Sequence, residues 1–407
     1  KHSFLAILGY EIQNSSKEKS SLGAADFAGA NARSLSGASN PILVEESNSS
    51  WGIISYLSNF QYNLSSKYYL SGSFRRDGSS KFSDNNKWAN FWSVGFSWRL
   101  SEENFLKEIK KINSLIIRGS YGTSGNSDID EHAWETLYGT GYNYNGDPGY
   151  VPVQIGNPEL TWEKNNNADI GIDYRIFKNI SGSLELYSRR TWDLLLAVPI
   201  TKTSGYSIQM QNVGEMVNRG IEFNIGSDNF KSKNFKWSTD LNITLNRNKI
   251  TKLYNGEDIF DVSTSAQIRR EGYAYNTFYL VQWAGVNPAD GTPMWYDEKG
   301  NLTSNYQDAA RKISGNADPK ITSGIKNSLR YKNFDLSFFI YICYGNKIYN
   351  NVDRVLLSDG AFTEYNQSDK AMERWQAPGD MTEVPKIIFN NSSNGNQSST
   401  RYLEDGS

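Results

Sequence analysis

Residues 91–100 read FWSVGFSWRL, with apolar side chains at every even position and mostly small or polar ones at the odd positions. Residues 67–76 read KYYLSGSFRR and alternate in the same way as far as Phe74. Successive side chains of a strand point to opposite faces of its sheet, so each stretch predicts a strand with one apolar and one mostly polar face. Soluble sandwiches also contain such strands, so the number of repeats and the loop lengths must decide the fold.

The same alternation predicts strands along most of the chain. The segment 235–246 is the cleanest, with Trp237, Leu241 and Ile243 on one face, whereas 3–13 has apolar residues on both faces. The eleven segments predicted as strands are 3–13, 51–64, 67–76, 91–100, 114–122, 162–177, 180–190, 218–228, 235–248, 320–331 and 334–344.

Short and long connections alternate between these strands. The link 101–113 is of intermediate length and predicts a short helix with its N-cap at Ser101. Transmembrane barrels carry brief periplasmic turns on one rim and extended external loops on the other, so the alternation favours a barrel. The short links are 65–66, 178–179, 229–234 and 332–333, and the long ones are 14–50, 77–90, 123–161, 191–217, 249–319 and 345–399.

The long segment 249–319 lies between a strand that must run outward and one that must run inward. It therefore contains either no membrane crossing or two. We expect that it contains no crossing. We expect a probable extracellular loop subdomain there, in which 277–283 and 293–297 form a hairpin that turns at 287–291. The segment 345–399 is expected to be another long extracellular loop.

The bulk composition is compatible with a barrel and excludes several other classes. Aromatic residues make up 14% of the 407 residues, the hydrophobic total is only 38%, and the mean hydropathy is −0.60. No run of about 18 apolar residues predicts a transmembrane helix, but barrel strands have low average hydropathy because half their residues face a polar lumen. The net charge of −2 argues against nucleic acid. One cysteine and two histidines exclude an internal disulfide framework and argue against a His/Cys metal site.

The residues alone leave three other interpretations open. The first is a large soluble sandwich array. The second is a soluble or surface β-rich carbohydrate-binding or adhesin-like protein. The third is an outer-membrane barrel enzyme, although the sequence has no G-x-S-x-G motif and His132 has no motif partner. A solenoid is disfavoured because no strict repeat of about 20–50 residues is present.

Motifs in order along nearly the whole chain resemble the SusC/RagA family of TonB-dependent outer-membrane transporters. Each is weak alone, and the order in which they occur carries the resemblance. They are SFRRDGSSKF at 73–82 followed by Trp88, IIRGSYG at 116–122 with Gly125 and Asn126, GNPELTWE at 156–163, NVGEM at 212–216, NRGIE at 218–222, YKNFD at 331–335, YGNKIYN at 344–350, and ERWQAP at 373–378 with Pro385.

The resemblance implies an all-β, transmembrane antiparallel barrel of 22 strands in the outer membrane, with long extracellular loops and a plugged lumen. Residues 1–407 would be a partial barrel domain, with the plug and the terminal strands outside this chain. The family imports nutrient oligomers, glycans more often than peptides, and is not enzymatic. Its partners are a SusD-like lipoprotein lid, TonB through the N-terminal region, and outer-membrane lipid. No cofactor and no nucleic acid are expected.

Candidate contact residues are expected mainly on surface loops, because loops on a rigid scaffold commonly bind ligands and partners. Aromatic rings could stack on sugar rings, or they could simply pack the loop. The predicted ligand-contact residues are Trp134, Tyr138, Tyr142 and Tyr144, with Arg75 and Arg99 at lumenal or rim positions. The predicted lid-contact residues are Trp283, Trp295 and Tyr296. Asp290 and Asp297 are weak candidates for Ca²⁺, because turn chemistry alone explains aspartate there.

Overall fold

The computed structural model describes residues 1–29, 31, 34–261, 266–390 and 395–407. Its strands are β1 (His2–Phe27), β2 (Ala38–Leu64), β3 (Tyr68–Ser79), β4 (Trp88–Arg99), β5 (Ile112–Asn126), β6 (Leu137–Tyr144), β7 (Asp147–Gln154), β8 (Glu163–Ile176), β9 (Ile180–Trp192), β10 (Leu195–Pro199), β11 (Ile208–Asn212), β12 (Glu215–Lys231), β13 (Phe235–Lys252), β14 (Ile259–Phe260), β15 (Gln267–Arg269), β16 (Thr277–Val281), β17 (Trp283–Val286), β18 (Pro293–Tyr296), β19 (Leu302–Thr303), β20 (Arg311–Asn316), β21 (Ile321–Tyr331), β22 (Phe334–Tyr344), β23 (Lys347–Tyr349) and β24 (Leu403–Asp405).

Helices are few and short. The two α-helices are α1 (Asn104–Lys107) and α2 (Asn351–Leu356), and 3-10 turns occur at Leu35–Gly37, Leu100–Glu102, Lys202–Ser204, Tyr254–Gly256, Tyr306–Asp308, Asp369–Glu373 and Thr400–Tyr402. Within the described residues, none of the helices has the length and apolar character needed to cross a bilayer.

One sheet contains eleven of the strands, and its order follows the chain: β1-β2-β3-β4-β5-β8-β9-β12-β13-β21-β22. These are the eleven segments that the alternation predicts, and neighbours such as β2 and β3 or β13 and β21 pair antiparallel. The all-β prediction is therefore confirmed. The remaining strands form small sheets in the long connections.

The chain divides into two compact units. The first comprises residues 1–98, 119–167 and 191–213, and it contains strands β1 to β3 together with the hairpins β6–β7 and β10–β11. The second comprises residues 99–118, 168–190 and 214–407, and it contains β12, β13, β21, β22 and the small sheets of the later loops.

Apolar side chains lie opposite one another across neighbouring strands, as the alternation requires. Leu245 pairs with Ile221 of β12 on one side and with Ile321 of β21 on the other. Two residues earlier on β13, Ile243 pairs with Phe223, and the intervening Thr244 pairs with Glu222. The apolar and polar faces therefore run continuously across several strands.

The apolar face is open rather than covered by a second layer. Leu70 and Val94 are each 53% exposed, Ile170 is 56% exposed and Leu336 is 61% exposed. A stacked sandwich would bury these side chains in its core, because inner faces interdigitate. Exposure on this scale is expected where the surrounding medium is hydrocarbon. It is inconsistent with a soluble sandwich array.

The first hairpin is longer than the sequence predicts. β1 and β2 stay paired from His2–Leu64 as far as Phe27–Ala38, with one irregularity after Gly23. The predicted loop 14–50 is therefore mostly strand. About 9–11 residues suffice to cross a bilayer, so this 26-residue strand continues well beyond that length. The extension was missed because its Ser, Lys and Glu residues form no apolar face.

Two local predictions need correction. The link after β4 begins with a 3-10 turn at 100–102, and the N-cap of α1 is Glu103 rather than Ser101, without a side-chain capping bond. In the later loop, β17 pairs with β18 across the predicted turn at 287–291. However, β16 pairs with β20 instead of continuing that hairpin.

The segment between β13 and β21 contributes none of its described strands to the large sheet. It forms a four-stranded sheet, β14-β15-β16-β20, and a three-stranded sheet, β17-β18-β19. β13 and β21 are therefore direct neighbours, joined through the pair Leu245–Ile321.

A new charge should affect stability differently on the two faces of β13. In the full-length protein, we expect Ile243→Lys to lower the free energy of unfolding by about 1–3 kcal/mol, the cost of a cation on the lipid face between the bilayer centre and the headgroup level. The neighbouring Thr244→Lys places the same charge on the polar face and should have little effect. Denaturant unfolding in lipid vesicles measures both, and equal losses would contradict the assignment of faces.

Candidate functional site

The loop after β5, here called the aromatic loop (residues 127–162), is anchored by an apolar cluster in the first unit. Its centre is Trp162, whose ring centroid lies 5.7 Å from that of Phe82 and 5.6 Å from that of Phe91. Its indole Nε1 donates to the carbonyl of Lys87 at 2.8 Å. The cluster consists of Phe82, Phe91, Ile129, Ala133, Leu160 and Trp162.

Side-chain hydrogen bonds fix the base of the aromatic loop further. The Gln154 amide donates to the carbonyls of His132 and Glu135, both at 2.9 Å. The Ser83 hydroxyl donates to the carbonyl of Pro158 at 2.7 Å. The loop is therefore held at both of its ends, and its middle is free to present side chains.

The middle of the aromatic loop is the hairpin β6–β7, which carries exposed tyrosines. Tyr138 is 64% exposed, Tyr142 50%, Tyr144 85% and Tyr150 76%. Tyr142 and Tyr144 are two positions apart on one strand and so share a face. The structure thus brings three of the predicted ligand-contact residues together on one hairpin.

Trp134 has a different environment from these tyrosines. It is half-buried and packs against the apolar cluster at the base of the aromatic loop. Its position is compatible with the packing alternative that the sequence left open, and ligand contact by Trp134 stays a prediction.

A groove of about 690 Å³ lies beside this base and is lined by polar and aromatic groups. Lys81 contributes its ammonium group, which donates to the carbonyl of Ile129 at 2.7 Å and lies 5.4 Å from the Trp51 ring centroid. On the other side, His132 Nδ1 is 3.2 Å from Glu135 Oε1. Sequence reasoning missed this groove because its residues come from segments as distant as Asn14 and Glu135.

The two predicted arginines lie in different places. Arg75 is on the polar face of β3, where it contacts Glu11 at 3.0 Å, Asp77 at 2.7 Å and the Ser55 hydroxyl at 2.7 Å. Arg75 is paired with Phe91 of β4, whereas Arg99 is the last residue of that strand.

The polar face carries a second arginine surrounded by carboxylates, which the sequence analysis did not predict. In the second unit, Arg118 of β5 lies 3.2 Å from Asp173 and 3.9 Å from Asp169, and it is hydrogen-bonded to Glu185 of β9. Gly171 leaves room for it, since a Cβ there would lie 3.0 Å from the guanidinium carbon. Its partners are up to 67 positions away in sequence, so no local pattern reveals the cluster.

The predicted lid-contact residues differ in burial: some lie in the core of the loop and one lies at its surface. Trp295 has no exposed surface and packs edge-on against Trp283 at 6.0 Å and Tyr306 at 5.4 Å. A fully buried ring cannot anchor a partner in this conformation, so Trp295 is a core residue of the loop. Tyr296 is 39% exposed and remains available for contact.

Asp290 and Asp297 stabilise turns. The hydroxyl and amide of Thr292 both donate to Asp290, which lowers the pKa of its carboxyl. The side chain and amide of Asn301 do the same for Asp297. In the described part of the chain, no group of three His, Cys, Asp or Glu residues is arranged to hold a metal ion.

The predicted loop 345–399 packs on the hairpin β17–β18 within the second unit. Trp375, from the motif at 373–378, donates its indole Nε1 to the carbonyl of Pro288 at 3.0 Å. Next to it, a backbone bond joins the amide of Lys386 to the carbonyl of Gly291 at 3.1 Å. Trp375 therefore fixes the later loop to the turn at 287–291.

A buried ion pair joins two parts of this later segment. The Arg401 guanidinium donates to both carboxylate oxygens of Asp359, at 2.5 and 3.2 Å, and the two side chains are 7% and 0% exposed. Burial raises the pKa of the Asp359 carboxyl, and the hydrogen bonds from Arg401 oppose that rise. The guanidinium also lies 5.2 Å from the ring centroid of Trp283.

Comparison with known proteins gives one family. The sequence model of "TonB dependent receptor-like, beta-barrel" matches residues 13–337. Among solved structures, that of the RagAB peptide transporter superposes with a TM-score of 0.81 at 28% identity, covering 100% of this chain and 46% of that chain.

Curated relatives carry the same description. "TonB-dependent receptor P3" of Formosa agariphila is 33% identical over 434 residues, covering 100% of this chain and 42% of the relative. "TonB-dependent receptor SusC" of Bacteroides thetaiotaomicron is 34% identical over 322 residues, covering 73% of this chain and 32% of the relative. The chain thus spans less than half the length of the relatives it matches.

The Asp359–Arg401 pair should stabilise the later loop strongly. Asp359→Asn leaves a buried guanidinium uncompensated, and we expect a loss of about 3–5 kcal/mol in local stability. Hydrogen exchange of the amides in 346–390 measures it. The control is Asp353→Asn, which breaks an exposed contact with Lys370 at 3.4 Å and should cost less than about 1 kcal/mol. Equal protection in both variants would show that the buried pair does not hold the loop.

Proposed function

The chain belongs to the TonB-dependent receptor-like β-barrel family of the outer membrane, and we propose that the protein containing it imports nutrient oligomers in a TonB-dependent manner. In this proposal the strands form part of the barrel wall, with the open apolar face towards lipid and the polar face towards the lumen. TonB would act through a region outside this chain.

The observation that supports import most directly is a polar, charge-lined face opposite an exposed apolar one. The polar face carries Arg75 with its two carboxylate partners and Arg118 with three. A rigid wall of this kind suits passage of hydrophilic solutes, because its polar groups replace part of their hydration.

We propose glycan oligomers as the substrate class. Tyr142 and Tyr144 present exposed rings on one face of the β6–β7 hairpin, and such faces can stack on the apolar faces of sugar rings. The nearby groove adds the carboxylates of Glu131 and Glu135, which accept hydrogen bonds from hydroxyl groups.

Peptides are the second candidate. The observation that favours them is the likeness to the RagAB peptide transporter. The same groove residues would serve this class differently, since Glu131 and Glu135 could bind cationic groups and Lys81 could bind a carboxylate.

A SusD-like surface lipoprotein is the proposed lid. Tyr296 is the predicted contact residue that stays exposed, and the neighbouring Trp295 is fully buried in the core of the loop. A rigid aromatic side chain on a packed base is a favourable anchor, because little conformational freedom is lost on binding.

Removing the hairpin tyrosines should weaken substrate binding. For Tyr142→Ala combined with Tyr144→Ala in the full-length protein, we expect roughly 10- to 100-fold weaker binding of the transported oligomer, as two aromatic contacts would predict. Calorimetry with defined oligosaccharides and with peptides of similar size measures binding and identifies the class. Tyr331→Ala, at the tight turn between β21 and β22, is the control. Unchanged affinity for every ligand would reject the hairpin as a contact site.

The lid contact is tested by co-purification with the lipoprotein encoded beside the transporter gene. Tyr296→Ala should weaken the complex by about tenfold, as loss of an aromatic anchor does, whereas Tyr331→Ala should leave it intact. A complex that survives Tyr296→Ala with unchanged affinity excludes this surface.

A further inference from the structure

The hairpin β12–β13 carries a row of cations where its outward apolar face ends. The last apolar pair is Ile221–Leu245, and the next pair on the same face is Arg219–Arg247. Two residues beyond that, Lys249 lies opposite Val217. The cations are at the end of the hairpin away from its tight turn.

Exposure shows which way these side chains point. Along β13, Leu245, Arg247 and Lys249 are exposed, whereas Asn246 and Asn248 between them are half-buried. The next residue of the covered face, Ile250, is fully buried. The cations therefore continue the open face that carries the apolar side chains.

The loop that follows covers the opposite face. The backbone amide of Tyr275 donates to the Asn248 side chain at 2.6 Å, and the amide of Ile250 donates to the carbonyl of Tyr273 at 2.8 Å. The loop thus packs against the side of the strand that faces away from Arg247 and Lys249.

Among the described residues around the cation row, positive charge exceeds negative charge. Arg219, Arg247 and Lys249 form no ion pair there, and the adjacent Arg190 is already paired with Glu215 at 2.6 Å. Asp318 is a carboxylate that lines the same groove and accepts a hydrogen bond from Asn276 at 2.8 Å, and Lys320 adds a further cation there. Like charges directly opposite one another destabilise a strand pair, so this arrangement calls for an external anion.

A groove of about 1130 Å³ runs along this region. Its lining includes the three cations and, next to them, the apolar residues Ile221, Leu245 and Ile321. It therefore offers positive charge at one end and hydrocarbon contact at the other, the combination that an amphiphilic anion requires.

We propose that Arg219, Arg247 and Lys249 bind the phosphate-bearing headgroup of an outer-membrane lipid, whose acyl chains lie along Ile221, Leu245 and Ile321. Arginine guanidinium groups bind phosphate oxygens in a bidentate manner, and lysine adds a point charge. The site lies where the hydrocarbon-facing surface stops, which is the level of lipid headgroups. The proposal depends on the outer-membrane location and not on what the protein imports.

The test is native mass spectrometry of the full-length protein in neutral detergent micelles doped with phosphorylated lipid A. We expect wild type to retain the lipid, and Arg219→Gln combined with Arg247→Gln and Lys249→Gln to lower the retained fraction by roughly tenfold or more. The variant Arg219→Lys with Arg247→Lys keeps the charge and should retain most of the binding. Dephosphorylated lipid A should bind poorly to every variant.

The matched control is Lys231→Gln with Lys236→Gln. These lysines form another directly opposed cation pair in the same hairpin, but on its polar face near the tight turn, so their loss should leave lipid retention unchanged. Equal retention by wild type and the triple variant, or equal retention of dephosphorylated lipid, would overturn the proposal. Complete displacement by inorganic phosphate would identify a free-phosphate site and overturn the lipid assignment.

Discussion

Every backbone amide of a strand in hydrocarbon must find its partner on a neighbouring strand, because lipid offers none. β13 meets this requirement on both edges, with β12 on one side and β21 on the other. The loop between β13 and β21 is long enough to build two small sheets of its own, yet the chain returns to the adjacent position. The length of the loops is thus independent of the strand order in the large sheet. Loops that recognise ligands or partners can therefore vary while the sheet stays the same.

The long loops are fixed to that scaffold by two different kinds of interaction. The aromatic loop uses apolar packing around Trp162 at its base and leaves its tyrosine hairpin exposed. The loop after β13 has an internal core at Trp295, and the buried Asp359–Arg401 pair of the later segment lies against it, with the Arg401 guanidinium 5.2 Å from the ring centroid of Trp283. Packing tolerates small displacements, whereas a bidentate buried ion pair fixes both distance and orientation. The second loop is therefore the better candidate for a surface that must keep its shape on contact with a lid.

The sequence predicts the wall well and the sites poorly, for a physical reason. Alternation with a period of two is a local signal, so all eleven strands of the large sheet were found. It fails where a strand lacks an apolar face, as in the Ser- and Glu-rich parts of the first hairpin. Trp134 and Trp295 look like surface anchors in sequence, but their burial depends on residues far along the chain. Likewise, Asp359 and Arg401 are 42 positions apart, beyond the reach of any spacing rule.

The bulge in β12 explains how one hairpin presents cations to both faces. Up to Asp228, odd-numbered residues share the face of Ile221, but the register shifts there and Phe230 pairs with Trp237. The shift brings the Phe230 ring to the apolar face, 5.7 Å from Phe235, and turns Lys231 towards the polar face opposite Lys236. Aromatic rings are favoured where hydrocarbon meets water. A strand without the bulge would instead place Lys231 on the lipid side. The single extra residue therefore keeps cations out of the aromatic border near the tight turn, whereas the opposite end of the hairpin carries cations on its lipid-facing side.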